Sequence, residues 1–518
     1  MPVVTMMVKP HQQRHDSPSN VSRSNSLLYL VLVAFALFAL GINISTHSLF
    51  LLDHESLLSS AAASSSRNAA FQALSNFVDP DLLYIRPSEP VTIGYAVSLI
   101  KCSDKQTTPE GIIDAALVLR HSIHLVHASS QHYPNYKMYA FVHPDAVPCS
   151  DGLRDAGFTV RVHASPVAAR DIAGDFLRNH IDKEWCCGSA EFMKLYAYRL
   201  TDVAIVVHMD MDFLLLQPME HVYDAMLYDA QSEIGQTARQ QLELEFPPAS
   251  TTTKTTTVVL PERIDAMMTR DWPQVMPGRK AGFQAGFLIV KPNPGVFDLI
   301  VDVIRQGDYV DGYGRDNGWS GMGYGVFVGA MAMQGLLAFV YDALLYDTWV
   351  ELNQCRFNHI GMDVRYRAAP SFRKNHPKVG QCRNDRDSCE DCMVTPLSDI
   401  YSVHFNQCRK PWNCIGSGSR ELPEDKFAIP QDQVHLDHCL ELVTEWHRVR
   451  TDLETKLQQQ QQHVGLSPLS NSKISASMSG DYKTLQFQGH CMSYGGGGYL
   501  RLAGGDVETL RRIPELYQ

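Results

Sequence analysis

The run Ala204–Pro218, AIVVHMDMDFLLLQP, decides how the rest of the chain is read. Its first half is apolar and rich in β-branched residues, the composition of a strand buried on both faces of a parallel sheet. Asp210 and Asp212 stand at its carboxyl end. Residues i and i+2 of an extended chain point to the same side, so both carboxylates can converge on one cation. In open α/β sheets that strand end is also where ligands bind. A bare Asp-x-Asp is common and often does no more than end a strand. Unpaired charge against so apolar a run is costly, however, and that favours a cation. A hard divalent ion held there can bridge phosphate oxygens and offset the charge of a departing diphosphate.

Outward from this run the chain alternates between two periodicities. Thr92–Ile100 (TIGYAVSLI), Tyr136–Val142 (YKMYAFV), Thr159–His163 (TVRVH) and Ala285–Lys291 (AGFLIVK) read as further strands. Ile112, Ala116, Leu119, Ile123 and Val126 recur at spacings of four and three, the stripe of an amphipathic helix. A short helix passes through Leu153. Glu191–Leu200 (EFMKLYAYRL) is helical by composition, and His435–Arg450 reads as a last amphipathic helix carrying Leu436, Leu440, Val443 and Trp446. Strand–helix alternation of this kind predicts an α/β domain over residues 91–455, with a Rossmann-like mixed, mainly parallel sheet and helices on both faces. Residues 229–265 interrupt the pattern as a surface insertion around the Thr-rich stretch Ser250–Thr257. Residues 456–518 are low in complexity and are expected to form a largely disordered tail.

The chain has 518 residues, a formal net charge of −11, 45% hydrophobic and 19% charged residues, which is globular composition. The acidic balance argues against a general nucleic-acid binder. Leu27–Ile42 (LLYLVLVAFALFALGI) is apolar throughout, near the lower end of what spans ~30 Å of hydrocarbon. Lys9, Arg14 and Arg23 precede it, and Asp53 and Glu55 follow before the first basic residue, Arg67. The positive-inside rule then predicts a cytosolic tail at 1–26, a single-pass anchor at 27–45 and a stem at 46–90, with the domain in the Golgi or ER lumen. A signal peptide cleaved near Ser59–Ser66, or a buried core helix, is the competing reading.

A second chemical segment lies at His404–Trp412, HFNQCRKPW, after an apolar Tyr401–Val403 strand. If it folds back on the aspartates, His404 completes a metal shell and Lys410 neutralises a phosphate; a core histidine and a solvated lysine is the plain alternative. Cys382, Cys389, Cys392, Cys408 and Cys414, with Cys355, form the densest cysteine region. Cys389-x-x-Cys392 fits zinc, but a lumenal domain favours disulfides, with the pairing left open.

Val97–Val126, Lys194–Pro218, Gln284–Pro292 and His404–Trp412 together resemble the glycogenin-like glycosyltransferases, family 8 of the retaining enzymes, which have the GT-A fold. That family's order is a first strand and helix, a lysine-bearing helix, the Asp-x-Asp strand, an Asn-Ala/Ser-Gly segment, a Gln-Gly-Leu-Leu segment and His-x-x-Gly-x-x-Lys-Pro-Trp; all occur here across roughly 91–415. The resemblance implies a UDP-sugar donor, Mn²⁺ or Mg²⁺, with His404 favouring Mn²⁺, and a glycan or glycoprotein acceptor. It implies Asp210, Asp212 and His404 as metal ligands, and Ser98, Ile100, Lys194, Gln284 and Lys410 toward the donor. Asp212, Lys194, Gln334 and Asp316 would form the catalytic set. The chain departs from the pattern at Gln284 for Asn, at Gln407 for Gly, and at Met333, where an acidic residue usually precedes Gln334–Leu337. Asp316, in Arg315–Gly325 (RDNGWSGMGYG), could supply that carboxylate, or the loop is simply a turn cluster. A catalytically inactive glycan- or nucleotide-binding membrane protein of the same fold, and a zinc-stabilised membrane module, are the alternatives of other classes.

Overall fold

The strand expected at the start of the domain is β1, Thr92–Leu99, followed by helix α1, Pro109–Ser129, and then by β2, Asn135–Val142, and β3, Thr159–Val162. β4, Ile205–Met209, is the strand that leads into the two aspartates, and β5, Phe213–Leu215, follows it. Helices α2, Glu220–Leu227, and α3, Glu233–Leu244, precede β6, Ala266–Arg270, and β7, Phe283–Val290. After α4, Pro294–Gln306, come the two-residue strands β8, Tyr309–Val310, and β9, Gly318–Trp319, then α5, Met333–Phe339, and β10, Trp349–Glu351. The last of the described strands and helices are β11, Ser402–His404, and the long helix α6, Gln433–His463. This computed structural model describes residues 91–102, 109–184, 188–245, 260–271, 280–360, 392–406, 408, 410–412, 433–463, 502 and 517, all within one unit, Ala69–Gln518.

Seven strands form one sheet in the order β10-β6-β7-β4-β1-β2-β3. Within it β4, β1, β2 and β3 are mutually parallel, as are β10 and β6, and β7 runs antiparallel to both β4 and β6. The sheet is thus mixed and mainly parallel, as expected. Strand parity sends Ile93, Tyr95, Val97, Ile205 and Val207 to one face and Ala96 and Val206 to the other. On the first face Ala116, Leu119, Ile123 and Val126 of α1 form the predicted stripe, backed by Trp446, Val449 and Leu453 of α6. The second face is covered by the segment Ser189–Arg199, α4 and α5. Both faces are therefore covered by helical segments, and the strand ends are where open α/β sheets bind ligands.

Several expectations are corrected. Glu191–Leu200 is helical but of the tighter 3₁₀ kind, Ser189–Arg199. The 229–265 stretch contains the ordered helix α3, whose Ala238 and Leu242 are buried in the first-face core; Ser250–Thr257 lies outside the described residues. Helix α6 continues past 455, burying Leu457. Beyond it Leu502 is fully buried in the same core, with its N–H donating to Asp114 (2.8 Å), and the Tyr517 hydroxyl is 3.0 Å from His121 Nδ1. These two points of the supposed tail are docked. Disulfides join Cys102 to Cys149, Cys355 to Cys392 and Cys408 to Cys439. Cys392 and Cys408 are thereby removed from a zinc set, and Cys408 takes a partner that sequence reasoning did not consider; Cys382, Cys389 and Cys414 lie outside the described residues. Among the described residues no helix is long and apolar enough to cross a membrane. The expected anchor at 27–45 and stem at 46–90 lie outside them.

Candidate metal and donor site

The two chemical segments of the sequence meet through backbone pairing. β5 and β11 form an antiparallel pair whose register sets His404 opposite Phe213, and the Phe405 N–H donates to the Asp212 carbonyl (2.9 Å). The His404 ring stacks on Phe213 at 4.3 Å between centroids. The imidazole is thus delivered beside Asp212 by a ladder, from almost two hundred residues away. One ligand atom from each of Asp210, Asp212 and His404 lies within 4.8 Å of the others. His404 Nε2 is 3.4 Å from Asp212 Oδ1 and 4.0 Å from Asp210 Oδ2.

Each aspartate divides its carboxylate between two duties. Asp210 Oδ1 takes the Lys194 ammonium at 2.9 Å, and Oδ2 faces His404. Asp212 Oδ2 pairs with Lys410, and Oδ1 faces His404. Lys194 also pairs with Glu191 at 2.9 Å, in a nearly closed setting. Burial alone would push the Asp212 carboxyl up, but the Lys410 ammonium beside it holds it well below the usual carboxylate range. At Asp210 burial and the Asp212 charge push upward, and the lowering effects together, the Lys194 charge and hydrogen bond foremost, leave its pKa below the usual value. Burial opposes the charge on Lys194, yet Asp210 and Glu191 raise its pKa above the ordinary lysine value. Both aspartates are therefore anionic at neutral pH, with one oxygen each turned to a common point.

The residues around that point fit a divalent cation. Two carboxylate oxygens and an imidazole nitrogen suit a borderline metal such as Mn²⁺. Gly286 of β7, whose carbonyl accepts from the Asp210 N–H (3.0 Å), keeps the cradle open. A Cβ there would lie 2.7 Å from His404 Cε1 and 2.9 Å from Asp210 Oδ2. The imidazole is oriented from behind: His404 Nδ1 is 3.2 Å from Asn358 Oδ1, and Asn358 Nδ2 donates to Thr269 Oγ1 at 2.8 Å. With the amide nitrogen committed to Thr269, the amide oxygen accepts from Nδ1–H, and Nε2 keeps its lone pair for a metal.

The donor-side residues are placed unevenly. Ser98 Oγ is 2.8 Å from His208 Nε2, and burial, aided by Lys194, lowers the His208 pKa to about 3, so this ring is neutral. Ile100 is half-buried and packs on the second-face core at the carboxyl end of β1. Gln284 turns its Oε1 back to accept the Gly286 N–H (2.9 Å), so the longer amide braces the cradle instead of reaching out of it. Gln334, at the first turn of α5, donates to Asp271 Oδ2 (3.0 Å), with Gly329 in the left-handed region (φ 77°) making room for its amide. Asp316 is not brought to this group: it is exposed in the loop between β8 and β9. The buried carboxylate beside Gln334 is Asp271, and sequence reasoning missed it. Asp271 ends the short β6 as Asp210 ends β4, and that repetition could have found it. Gln407 lies outside the described residues.

No known family profile matches the chain, and no characterised protein matches it by sequence. Solved structures similar to it include glycosyltransferases. Mouse xyloside xylosyltransferase 1, without ligands, is 9% identical with a TM-score of 0.34, over 62% of this chain and 99% of that one. The galactosyltransferase LgtC, with donor and acceptor sugar analogues, is 12% identical with a TM-score of 0.30, over 62% and 89%. The glycosyltransferase GlyE of Streptococcus pneumoniae TIGR4 is 11% identical with a TM-score of 0.32, over 69% and 63%. The functional reading below rests on the site itself.

Proposed function

We propose that the protein is a metal-dependent glycosyltransferase that takes a sugar from a nucleoside diphosphate donor, UDP above all, and passes it to a glycan or glycoprotein with retention. The observation that carries this reading is the convergence of Asp210 Oδ2, Asp212 Oδ1 and His404 Nε2, with Lys194 and Lys410 behind the two carboxylates. A cation held by these three residues would supply positive charge where a diphosphate leaves. Lys410, on the rim of the cluster, adds a second positive charge to the diphosphate, and its pairing with Asp212 positions it beforehand. Lys194 holds Asp210 ionised and fixes its rotamer. Gln334 and Asp271 offer an amide and a carboxylate suited to sugar hydroxyls, and the acceptor hydroxyl attacks from the face the diphosphate leaves.

Met333 in place of an acidic residue is one motive for an inactive, nucleotide-binding reading. Asp271 against Gln334 weakens it, because a carboxylate is present there from another strand. The three disulfides among the described residues support a domain made in an oxidising compartment, and so the Golgi or ER lumen behind the expected single-pass anchor. A panel of UDP-sugars scored for Mn²⁺-dependent hydrolysis and transfer tests the proposal. Absence of turnover with every donor, despite metal-dependent UDP binding, would favour the inactive reading.

A further inference from the structure

Away from the metal cluster, a cavity of about 450 Å³ opens between the edge strand β3 and helix α4. Its lining includes none of the metal-ligand or donor-side residues assigned above. The volume falls in the range of small-molecule sites, roughly 300–1,000 Å³. The floor is aromatic. His163 and Tyr196 stack at 3.9 Å with 17° between their planes, and Phe297 continues the layer 5.4 Å from Tyr196. Three arginines from three different elements also line the cavity: Arg161 on β3, Arg199 on the 3₁₀ segment and Arg305 on α4.

The arginines are anchored without being used up. Arg199 lies over the Phe297 ring at 4.4 Å and gives one N–H to Asp298 (2.7 Å). Arg161 lies 5.2 Å from the Tyr139 ring centre, with Asp202 at 3.5 Å, and Arg305 reaches Asp302 at 3.3 Å. Their side chains are 39%, 48% and 57% exposed for Arg161, Arg199 and Arg305. A guanidinium carries five N–H donors, so most of this donor capacity remains for a ligand or water. The lining set carries one carboxylate, Asp298, against three arginines, in a chain whose net charge is −11. Burial and then the Arg161 charge lower the His163 pKa, so its ring stays a neutral part of the floor.

We propose that this cavity is a binding site for an acidic sugar, a pyranose ring whose carboxylate or sulfate is taken by the arginines while the ring's C–H face rests on the aromatic floor. A planar guanidinium matches a carboxylate two-pronged, and stacking on an aromatic ring holds its plane in place. The cavity is a second saccharide site, independent of donor chemistry at the metal cluster, and it selects the charge carried by the acceptor glycan or by a regulatory one.

Calorimetric titration of the full chain with methyl glucuronide, methyl glucoside, glucose 6-sulfate and inorganic sulfate tests this. Methyl glucuronide or glucose 6-sulfate should bind saturably, and whichever binds tighter identifies the anion. The neutral glucoside should bind roughly tenfold more weakly or worse, the expected cost of lost charge-assisted hydrogen bonds. Arg199→Gln combined with Arg305→Gln should weaken the acidic sugar at least tenfold, and Arg305→Glu alone, at an exposed position, should do the same. Asp212→Asn should leave this binding unchanged, which separates the site from the metal cluster. Equal binding of glucoside and glucuronide would overturn the proposal, as would indifference to the arginine changes or the absence of saturable binding. Inorganic sulfate binding as tightly as the sulfated sugar would show an anion hole that does not read the ring, and would overturn it too.

Discussion

His404 Nδ1 lies 3.2 Å from Asn358 Oδ1, and this contact decides which nitrogen of the imidazole meets the aspartates. Because Asn358 Nδ2 is committed to Thr269, the amide presents its oxygen to the ring, and Nε2 faces Asp210 and Asp212 with its lone pair. Removing the oxygen frees the ring to rotate or change tautomer. Asn358→Leu should therefore weaken Mn²⁺ affinity about 10–100-fold. Asn358→Asp, which still accepts from Nδ1–H, should retain more of it. Titration of the protein with Mn²⁺ alone, followed by electron paramagnetic resonance, gives the comparison. Equal loss in both variants would mean that Asn358 merely packs.

Gly286 makes a steric prediction at the same cluster. Gly286→Ala places a methyl group 2.7 Å from His404 Cε1 and 2.9 Å from Asp210 Oδ2, inside the distances real side chains keep. His404 and Asp210 must then separate. Mn²⁺ binding should be lost while the sheet persists, seen as an unchanged far-ultraviolet circular dichroism spectrum. Mn²⁺ binding at the original strength would show that the cradle is wider than described.

The pH dependence of stability has a readable sign at His447. This buried ring on α6 is 3.2 Å from the Pro411 carbonyl, next to Lys410, and burial followed by the Arg450 charge lowers its pKa to about 3. An unfolded histidine titrates near 6.5. Between those values the unfolded chain binds the extra proton, so this contribution is complete above about pH 6.5 and is lost as pH falls toward 3. The slope is at most about 1.4 kcal/mol per pH unit. His447→Gln should flatten the denaturant midpoint against pH between 6.5 and 4, and an unchanged slope would assign the acid sensitivity elsewhere.

Leu502 tests whether the C-terminal stretch belongs to the fold. It is fully buried, and its backbone donates to the buried Asp114. Leu502→Ala should cost about 2–5 kcal/mol, the range for emptying a core leucine site. Truncation after residue 463 should cost at least as much. A truncated chain with unchanged melting temperature would return this region to the status of a tail.

Much of the architecture was legible because apolar runs and helical stripes are local. β1 to β4 are found within one residue of where composition puts them, α1 carries the expected stripe and runs three residues beyond it at each end, and the paired aspartates stand out at the end of β4. What was not legible depends on pairing between distant segments. Nothing in QCRFNHI distinguishes Asn358, because its role arises only when His359 bridges to Val403 of β11. Asp271 follows a strand of five residues next to an apparent insertion, so its burial against Gln334 was hidden, and Asp316 was considered in its place. Cys439 carries no motif that would name it the partner of Cys408. Leu502 and Tyr517 sit in glycine-rich or charged surroundings without period, and only the tertiary fold buries them.

The account turns on Asp210 and Asp212 as ligands, and Asp212→Asn asks about this most directly. Asn keeps the size and removes the charge that pairs with Lys410 and faces His404. The measurement is UDP affinity with and without Mn²⁺, with sugar transfer followed on the same samples and the melting temperature as control. The wild type should bind UDP in a Mn²⁺-dependent way and transfer sugar. The variant should keep its fold, lose the Mn²⁺ dependence and fall to background transfer. An Asp212→Asn protein that still binds UDP through Mn²⁺ and transfers sugar near the wild-type rate would contradict the metal site and the function built on it.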